Sequence, residues 1–233
     1  MNTHSVNEYS FIIHRLLRCV IKKQDKTDKF NNDKYHQILN AAIKIFAEQG
    51  YHNSTISQVA REAGVADGTI YIYFKNKADI LFNFFSYKTR RVFDQFKEAV
   101  DKADHAEDKL RNLIRRHFDE FQQDPNMAVV FQREALQARH IEEAYIKDIT
   151  KMYLDIIGDI FTQGHKEGSI RKDFPTGLGK RLILGAVNEV INTWVVAGIK
   201  YDLVTMADPL VDLFFKGIGA REQMVESPQT GMM

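Results

Sequence analysis

The chain has 233 residues, enough for one large domain or two small ones sharing a core, and 44% of them are hydrophobic. Its 32 Lys and Arg nearly cancel 31 Asp and Glu, which excludes a global basic field and confines any nucleic-acid binding to a local patch. The single Cys19 excludes an intrachain disulfide framework and a cysteine-based zinc cluster, and fits a reducing cytoplasm.

Only 4 Pro occur and long alternating runs of Val, Ile and Thr are missing, so an all-α chain is expected. No run of 18 apolar residues reads as a membrane span. Near the start, "FIIHRLLRCVI" (Phe11 to Ile21) is apolar but interrupted by His14, Arg15 and Arg18, and no small-residue cleavage site follows. It reads as a short amphipathic helix or as residues ahead of the true start of translation, rather than a signal peptide. Residues 1–30 are assigned to an N-terminal extension that need not be ordered, and "DKTDKFNNDK" (Asp25 to Lys34) to a polar lead-in.

From Tyr35 a helical period sets in, through Ile38, Leu39, Ala42, Ile43 and Phe46, and Gly50 stops it. Thr55 with Gln58 three residues on predicts a capping box for a second helix, and Gly64 ends that helix after about two turns. A third short helix is predicted from about 66 to 73. Asn76, with Asp79, caps a fourth that runs to about Val100. Further helices are predicted at about 106–123, 126–138, 140–165, 176–197 and 205–218, with "KEGSIRKDFPTG" (Lys166 to Gly177) as the clearest internal loop. Residues 221–233 form a polar tail.

A helix, a sharp glycine turn and a second short helix make a helix-turn-helix, whose second helix enters the DNA major groove. That explains "DGTIYIYFKNKADIL" (Asp67 to Leu81), where small residues precede hydroxylated aromatics and lysines. Gly68 and Thr69 would lie where backbone and DNA come closest. Tyr71 and Tyr73 would offer hydroxyls to phosphates, though each has packing between helices as its alternative. Thr55 opens the preceding helix, whose N–H groups suit a phosphate. Lys77 is a cation in the first turn of a helix, against the helix dipole, and so points to an outside anion such as phosphate. Phe74 is assigned to the core.

The stretch "TISQVAREAGVADGTIYIYFKNKADIL", from Thr55 through Leu81, resembles the DNA-binding motif of TetR-family repressors, and "ILNAAIKIFAEQGYHNST" (Ile38 to Thr55) looks like that family's first helix. Many relatives carry Ser-Lys before the glycine, whereas this chain has Ala66-Asp67. Asp67 is left with two readings: it accepts from a cytosine amino group, or it caps the recognition helix. The resemblance implies an N-terminal three-helix DNA-binding head (31–78) and a larger helical effector-binding and dimerisation domain (79–220), about nine helices in all. It also implies a homodimer on double-stranded operator DNA, with no membrane role. "RLILGAVNEVINTWVVAG" (Arg181 to Gly198) is nearly all apolar and needs cover on most sides, which a symmetric interface with "LVDLFFKGI" (Leu210 to Ile218) would supply. The polar Asn188, Glu189, Asn192 and Thr193 within it are read either as interhelical hydrogen-bonding groups or as contacts to an effector.

Within that family the chain most resembles the repressors of fatty-acid degradation that respond to long-chain acyl-coenzyme A, on "GVADGTIYIYFKNKADIL" and on "NEVINTWV" followed by "KYDLV" (Lys200 to Val204). "FQREALQAR" (Phe131 to Arg139) fits only partly, so a drug-efflux repressor sensing another hydrophobic ligand stays open. A helical binding or scaffold protein without DNA is the alternative of a different class. The effector would sit among Phe85, Phe121, Phe131, Met152, Ile156, Asn188 and Trp194, most of which also serve as core. Arg90, Arg91, Arg115 and Arg116 are candidates for an anionic head group. No catalytic residue, metal ligand or cofactor is assigned. No Glu-x-x-His or His-Glu-x-x-His occurs, and "GLGKR" (Gly177 to Arg181) lacks the spacing of a P-loop.

Overall fold

A computed structural model describes residues 33–135 and 143–218, together with the backbone and not every side chain at the margins of those spans. The assignments to residues 1–30, to the tail 221–233 and to the junction of the helices predicted at 126–138 and 140–165 lie outside the described residues. Within them the chain is all-α, as composition and periodicity lead one to expect. Nine α-helices run in order: α1 Asp33–Gln49, α2 Ile56–Glu62, α3 Asp67–Tyr73, α4 Lys77–Asp101, α5 Ala106–Gln123, α6 Pro125–Val130, α7 Glu143–Glu167, α8 Thr176–Val196 and α9 Ala207–Ile218.

Local chemistry places the boundaries. Thr55 and Gln58 form a reciprocal capping box: the threonine hydroxyl accepts from the Gln58 N–H at 3.2 Å, and Gln58 Oε1 accepts from the Thr55 N–H at 2.7 Å. Such a cap contributes about 1 kcal/mol. Gly64 then turns the chain at φ +61, a conformation costly for a side-chain-bearing residue. Asn76 caps α4 by accepting from the Asp79 N–H at 2.9 Å, and the Asp79 carboxylate accepts from the Lys75 N–H at 3.0 Å.

The helix predicted at 126–138 is shorter than its pattern suggests. α6 ends at Val130, and Phe131–Ala135 form one wide π turn. π turns widen a helix locally and recur at functional sites. Asp124 starts α6 by accepting from the Met127 N–H at 3.1 Å, and its other oxygen takes a 2.9 Å ion pair from Lys88 on α4.

α1 packs on α2, α4 and α6, so the DNA head rests directly on the larger half. α5 is the axis of that half, with α4, α7 and α9 around it. Arg111 and Arg115 of α5 pair with Asp208 of α9, and Arg111 also reaches Asp212 at 3.0 Å. Arg115 holds the Asp208 carboxyl below the usual carboxylate range. α8 buries one stripe, Ile183, Val187, Ile191 and Trp194, at helical spacing. Leu178, Leu182 and Val196 of α8 and Leu213 of α9 stay exposed on the single chain. Among the described residues no helix is long and apolar enough to cross a membrane.

Candidate DNA-binding and effector sites

The first site is the outer surface of α3. Ile70 and Phe74 are buried and fasten the helix to the head, with Phe74 stacked on Tyr35 of α1 at 5.0 Å between ring centroids. The opposite side carries Gly68, Tyr71 and Ile72. Tyr71 is 59% exposed and Ile72 62%, although both are large and partly or wholly apolar. A side chain added at Gly68 would meet nothing of the protein within 4 Å. The absence of bulk there serves no internal packing. Thr69 is half-buried beside it.

Four residues expected at the DNA, Asp67, Tyr73, Lys77 and Thr55, make contacts within the head. Asp67 neither caps α3, since Ala66 holds the cap position, nor projects alone: its carboxylate accepts from the Ser57 hydroxyl and ties α3 to α2. Tyr73 turns inward and meets Tyr35 edge-on at 6.4 Å. Lys77 is the most fully engaged of them. Its ammonium donates to the carbonyl oxygens of Tyr51 (2.6 Å), Ser54 (2.7 Å) and His52 (3.3 Å), and lies 4.7 Å from the centre of the Tyr51 ring. Three donors meet three acceptors. The anion-like partner demanded by a cation in the first turn of a helix is the carbonyl cluster of the α1–α2 turn. The Thr55 hydroxyl is likewise taken up in its capping box and in a 3.1 Å hydrogen bond to Gln58 Oε1.

The second site lies in the larger half. Phe131, on the π turn, contacts Phe85 of α4 at 5.8 Å and Phe121 of α5 at 5.6 Å. Phe121 stacks on His117 at 5.4 Å, and His117 meets Phe96 at 5.2 Å and Tyr153 of α7 at 5.0 Å. Met152 and Ile156 come from the same helix as Tyr153. Phe85, Phe121, Met152 and Ile156 each keep 4 to 7% of their surface accessible, whereas Phe118, Ile157 and Phe161, on the same helices, keep none. This small difference marks which side chains of these helices are not packed on all sides.

Comparison with known proteins decides the family. Residues 38–83 match the family described as bacterial regulatory proteins, tetR family, and residues 85–217 match the YsiA-like protein, C-terminal region. The chain belongs to the TetR family. It is 39% identical over 190 residues, 82% of this chain and 98% of the relative, to the fatty acid metabolism regulator protein of Bacillus subtilis (strain 168). It is similar to a solved structure of the fatty acid degradation regulator FadR from Bacillus halodurans, with a TM-score of 0.75 and 35% identity over 82% of this chain and 99% of that one. It is also similar to the crystal structure of FadR from Bacillus subtilis in complex with stearoyl-CoA, with a TM-score of 0.72 and 39% identity over 79% of this chain and 99% of that one. The relatives are transcriptional regulators, and this TetR-family chain is a DNA-binding regulator of the same kind.

Trp194 and Asn188, also expected to meet an effector, lie on α8 of this TetR-family chain. Trp194 is 1% exposed and its indole N–H donates to the Tyr201 carbonyl at 2.8 Å. It pins the turn after α8. Asn188 is half-buried on α8 and makes no hydrogen bond to another described residue, while Glu189 and Thr193, expected to be buried, are exposed and bonded to each other at 3.2 Å. Arg115 and Arg116 also leave the list of head-group candidates. Arg115 is held by Asp208, and Arg116 by Asp119, Glu120 and Gln95. Arg90 and Arg91 on α4 remain exposed and make no ion pair with a described residue.

The structure adds four residues that the motif alone does not single out. Ile72 sits between two tyrosines and reads as core until α3 is placed. His117 continues the α5 stripe of Leu110, Leu113, Ile114 and Phe121, so a strict period would include it. Tyr153 neighbours Met152. Arg133 donates to the Ala47 carbonyl of α1 at 3.3 Å. Among the described residues no three His, Cys, Asp or Glu side chains gather to hold a metal ion.

Proposed function

We propose that this chain is a cytoplasmic repressor of fatty-acid degradation genes that leaves its operator when long-chain acyl-CoA fills the larger half. The observation that carries this reading is the cluster of Phe85, Phe121 and Phe131, which joins α4, α5 and the π turn and is not packed on all sides. It is supported by similarity along the full length of a regulator whose relative is seen with stearoyl-CoA bound. A space opened among Phe85, Phe121 and Phe131, with Met152 and Ile156 of α7, would suit an acyl chain. The exposed Arg90 and Arg91 suit the phosphates of the coenzyme.

The working unit is a homodimer joined through α8 and α9, where Leu182, Val196 and Leu213 are exposed on the single chain and would be covered by a second copy. Two α3 helices then enter successive major grooves of an inverted repeat, with half-site centres about 34–36 Å apart or somewhat more. At each half-site Tyr71 and the N-terminal turn of α3, with Gly68 and Thr69, face the DNA.

Ligand and DNA heads are joined by two routes. α4 begins immediately after α3, and the π turn that carries Phe131 also carries Arg133, bonded to α1. A ligand that moves Phe131 shifts the heads, and it releases DNA if it binds the displaced arrangement more tightly. Titration of an operator complex with acyl-CoAs of increasing chain length tests the reading. Each buried methylene adds about 0.8 kcal/mol, so release should strengthen up to about 14–18 carbons. Equal response to short and long chains, or none, would overturn it in favour of a different hydrophobic effector.

A further inference from the structure

A single polar pair interrupts the aromatic cluster around Phe121. The His117 Nδ1 and the Tyr153 hydroxyl lie 3.1 Å apart in a hydrogen bond, with the rings of Phe96 and Phe121 against the imidazole. Burial pushes the imidazole down to about 3, so it is neutral at any physiological pH. A neutral imidazole carries one N–H, and a phenol one O–H. The bond between them consumes one of these two donors. If Tyr153 donates to Nδ1, the Nε2–H is left over; if Nδ1–H donates to the tyrosine oxygen, the tyrosine O–H is left over. Either tautomer therefore presents one unused donor.

That donor is not sealed off. Nε2 has no hydrogen-bonding partner among the described residues. His117 keeps accessible surface although rings from α4, α5 and α7 lie against it. An unused donor among apolar rings is costly unless a bound molecule supplies an acceptor. A saturated acyl chain offers none along its length. Its one acceptor is the carbonyl oxygen where the chain joins sulfur.

We infer that the His117–Tyr153 pair donates one hydrogen bond to the thioester carbonyl of the bound acyl-CoA, fixing where the acyl chain begins and hence how long a chain the space accepts. This rests on the acyl-CoA reading above, and one measurement separates the two. Palmitoyl-CoA and its thioether analogue S-hexadecyl-CoA differ at the carbonyl alone. Calorimetric titration of the full chain should show the thioester binding about tenfold more tightly. His117→Phe should bring the two affinities together and Tyr153→Phe should narrow the gap, with retained thioether binding showing that each variant is folded. If wild type binds both equally, or if the preference survives in both variants, the inference is overturned while the acyl-CoA reading stands. If wild type binds neither, both fall.

Discussion

Arg133 donates a hydrogen bond to the carbonyl of Ala47, 86 residues earlier in the chain, and thereby ties the π turn of the larger half to the end of the first helix of the DNA head. Two residues before it, Phe131 touches Phe85 and Phe121 inside the aromatic cluster. The same five-residue turn thus meets both sites. Lys88 and Asp124 anchor the start of this segment to α4, so α1, α4 and α6 are joined by polar contacts.

Arg133→Ala should weaken communication more than either binding step. Couplings between effector and DNA are typically about 1–3 kcal/mol, or roughly 5- to 150-fold in operator affinity. The variant should bind effector within a few-fold of wild type, yet show an operator-affinity shift at least about threefold smaller. Fluorescence anisotropy on labelled operator, with and without saturating palmitoyl-CoA, measures this. An undiminished shift would leave α4 as the sole route.

Lys77→Ala should act on the fold of the head and leave the salt dependence of DNA binding alone. Its ammonium neutralises the carbonyl cluster of Tyr51, His52 and Ser54, and losing charge-assisted hydrogen bonds of this kind costs on the order of 2 kcal/mol. Were it a phosphate contact, the slope of log affinity against log salt would fall by about 0.9. Thermal denaturation and a salt series on one operator tell these apart. An unchanged melting temperature with a reduced slope would restore the phosphate assignment.

Ile72 is exposed one helical turn after Gly68, where the backbone of α3 has no side chain to hold it off the DNA. An apolar side chain in the major groove recognises the thymine methyl group. Replacing one thymine per half-site by deoxyuracil removes two methyls from the operator and should weaken wild type about fifteenfold, at roughly 0.8 kcal/mol for each buried methyl. The same replacement should cost Ile72→Ala almost nothing. A position-by-position uracil scan of the operator gives the result. Equal losses in the two proteins, or none in wild type, would remove Ile72 from the reading surface.

His117 predicts an acid sensitivity. Its ring is pushed down to about 3 in the folded chain by burial, from an ordinary 6.5. Between those values unfolding takes up a proton, so stability rises with pH and is lost on acidification. The loss from this one group between pH 6 and 4.5 is about 2 kcal/mol. Urea denaturation at both pH values should show wild type losing about that much more than His117→Phe. Parallel losses would mean the ring is not held neutral by its surroundings.

The features read correctly from the sequence are those whose partners lie within a few residues. The capping box of Thr55 and Gln58, the turn at Gly64 and the cap of Asn76 on Asp79 all close inside a single turn of chain, so composition and spacing suffice. The apolar periodicity of α1, α5 and α8 likewise dictates helices before any packing is known. The cluster of Phe85, Phe121 and Phe131 was also legible, because large aromatic side chains at helical spacing on three segments must be buried together.

What tertiary structure alone decided is how each polar side chain is spent. Lys77 finds its carbonyls 23 to 26 residues away, Tyr153 lies 36 residues from His117, and Arg133 reaches across 86. A local pattern shows that a lysine lies against a helix dipole, but not whether the compensating oxygen belongs to a phosphate or to a neighbouring turn. It shows a tryptophan in an apolar helix, but not that the Tyr201 carbonyl takes its N–H. The hydrophobic effect is non-directional and leaves its mark as periodicity along the chain. Hydrogen bonds and ion pairs depend on distance and angle between segments, and those exist only once the helices are packed.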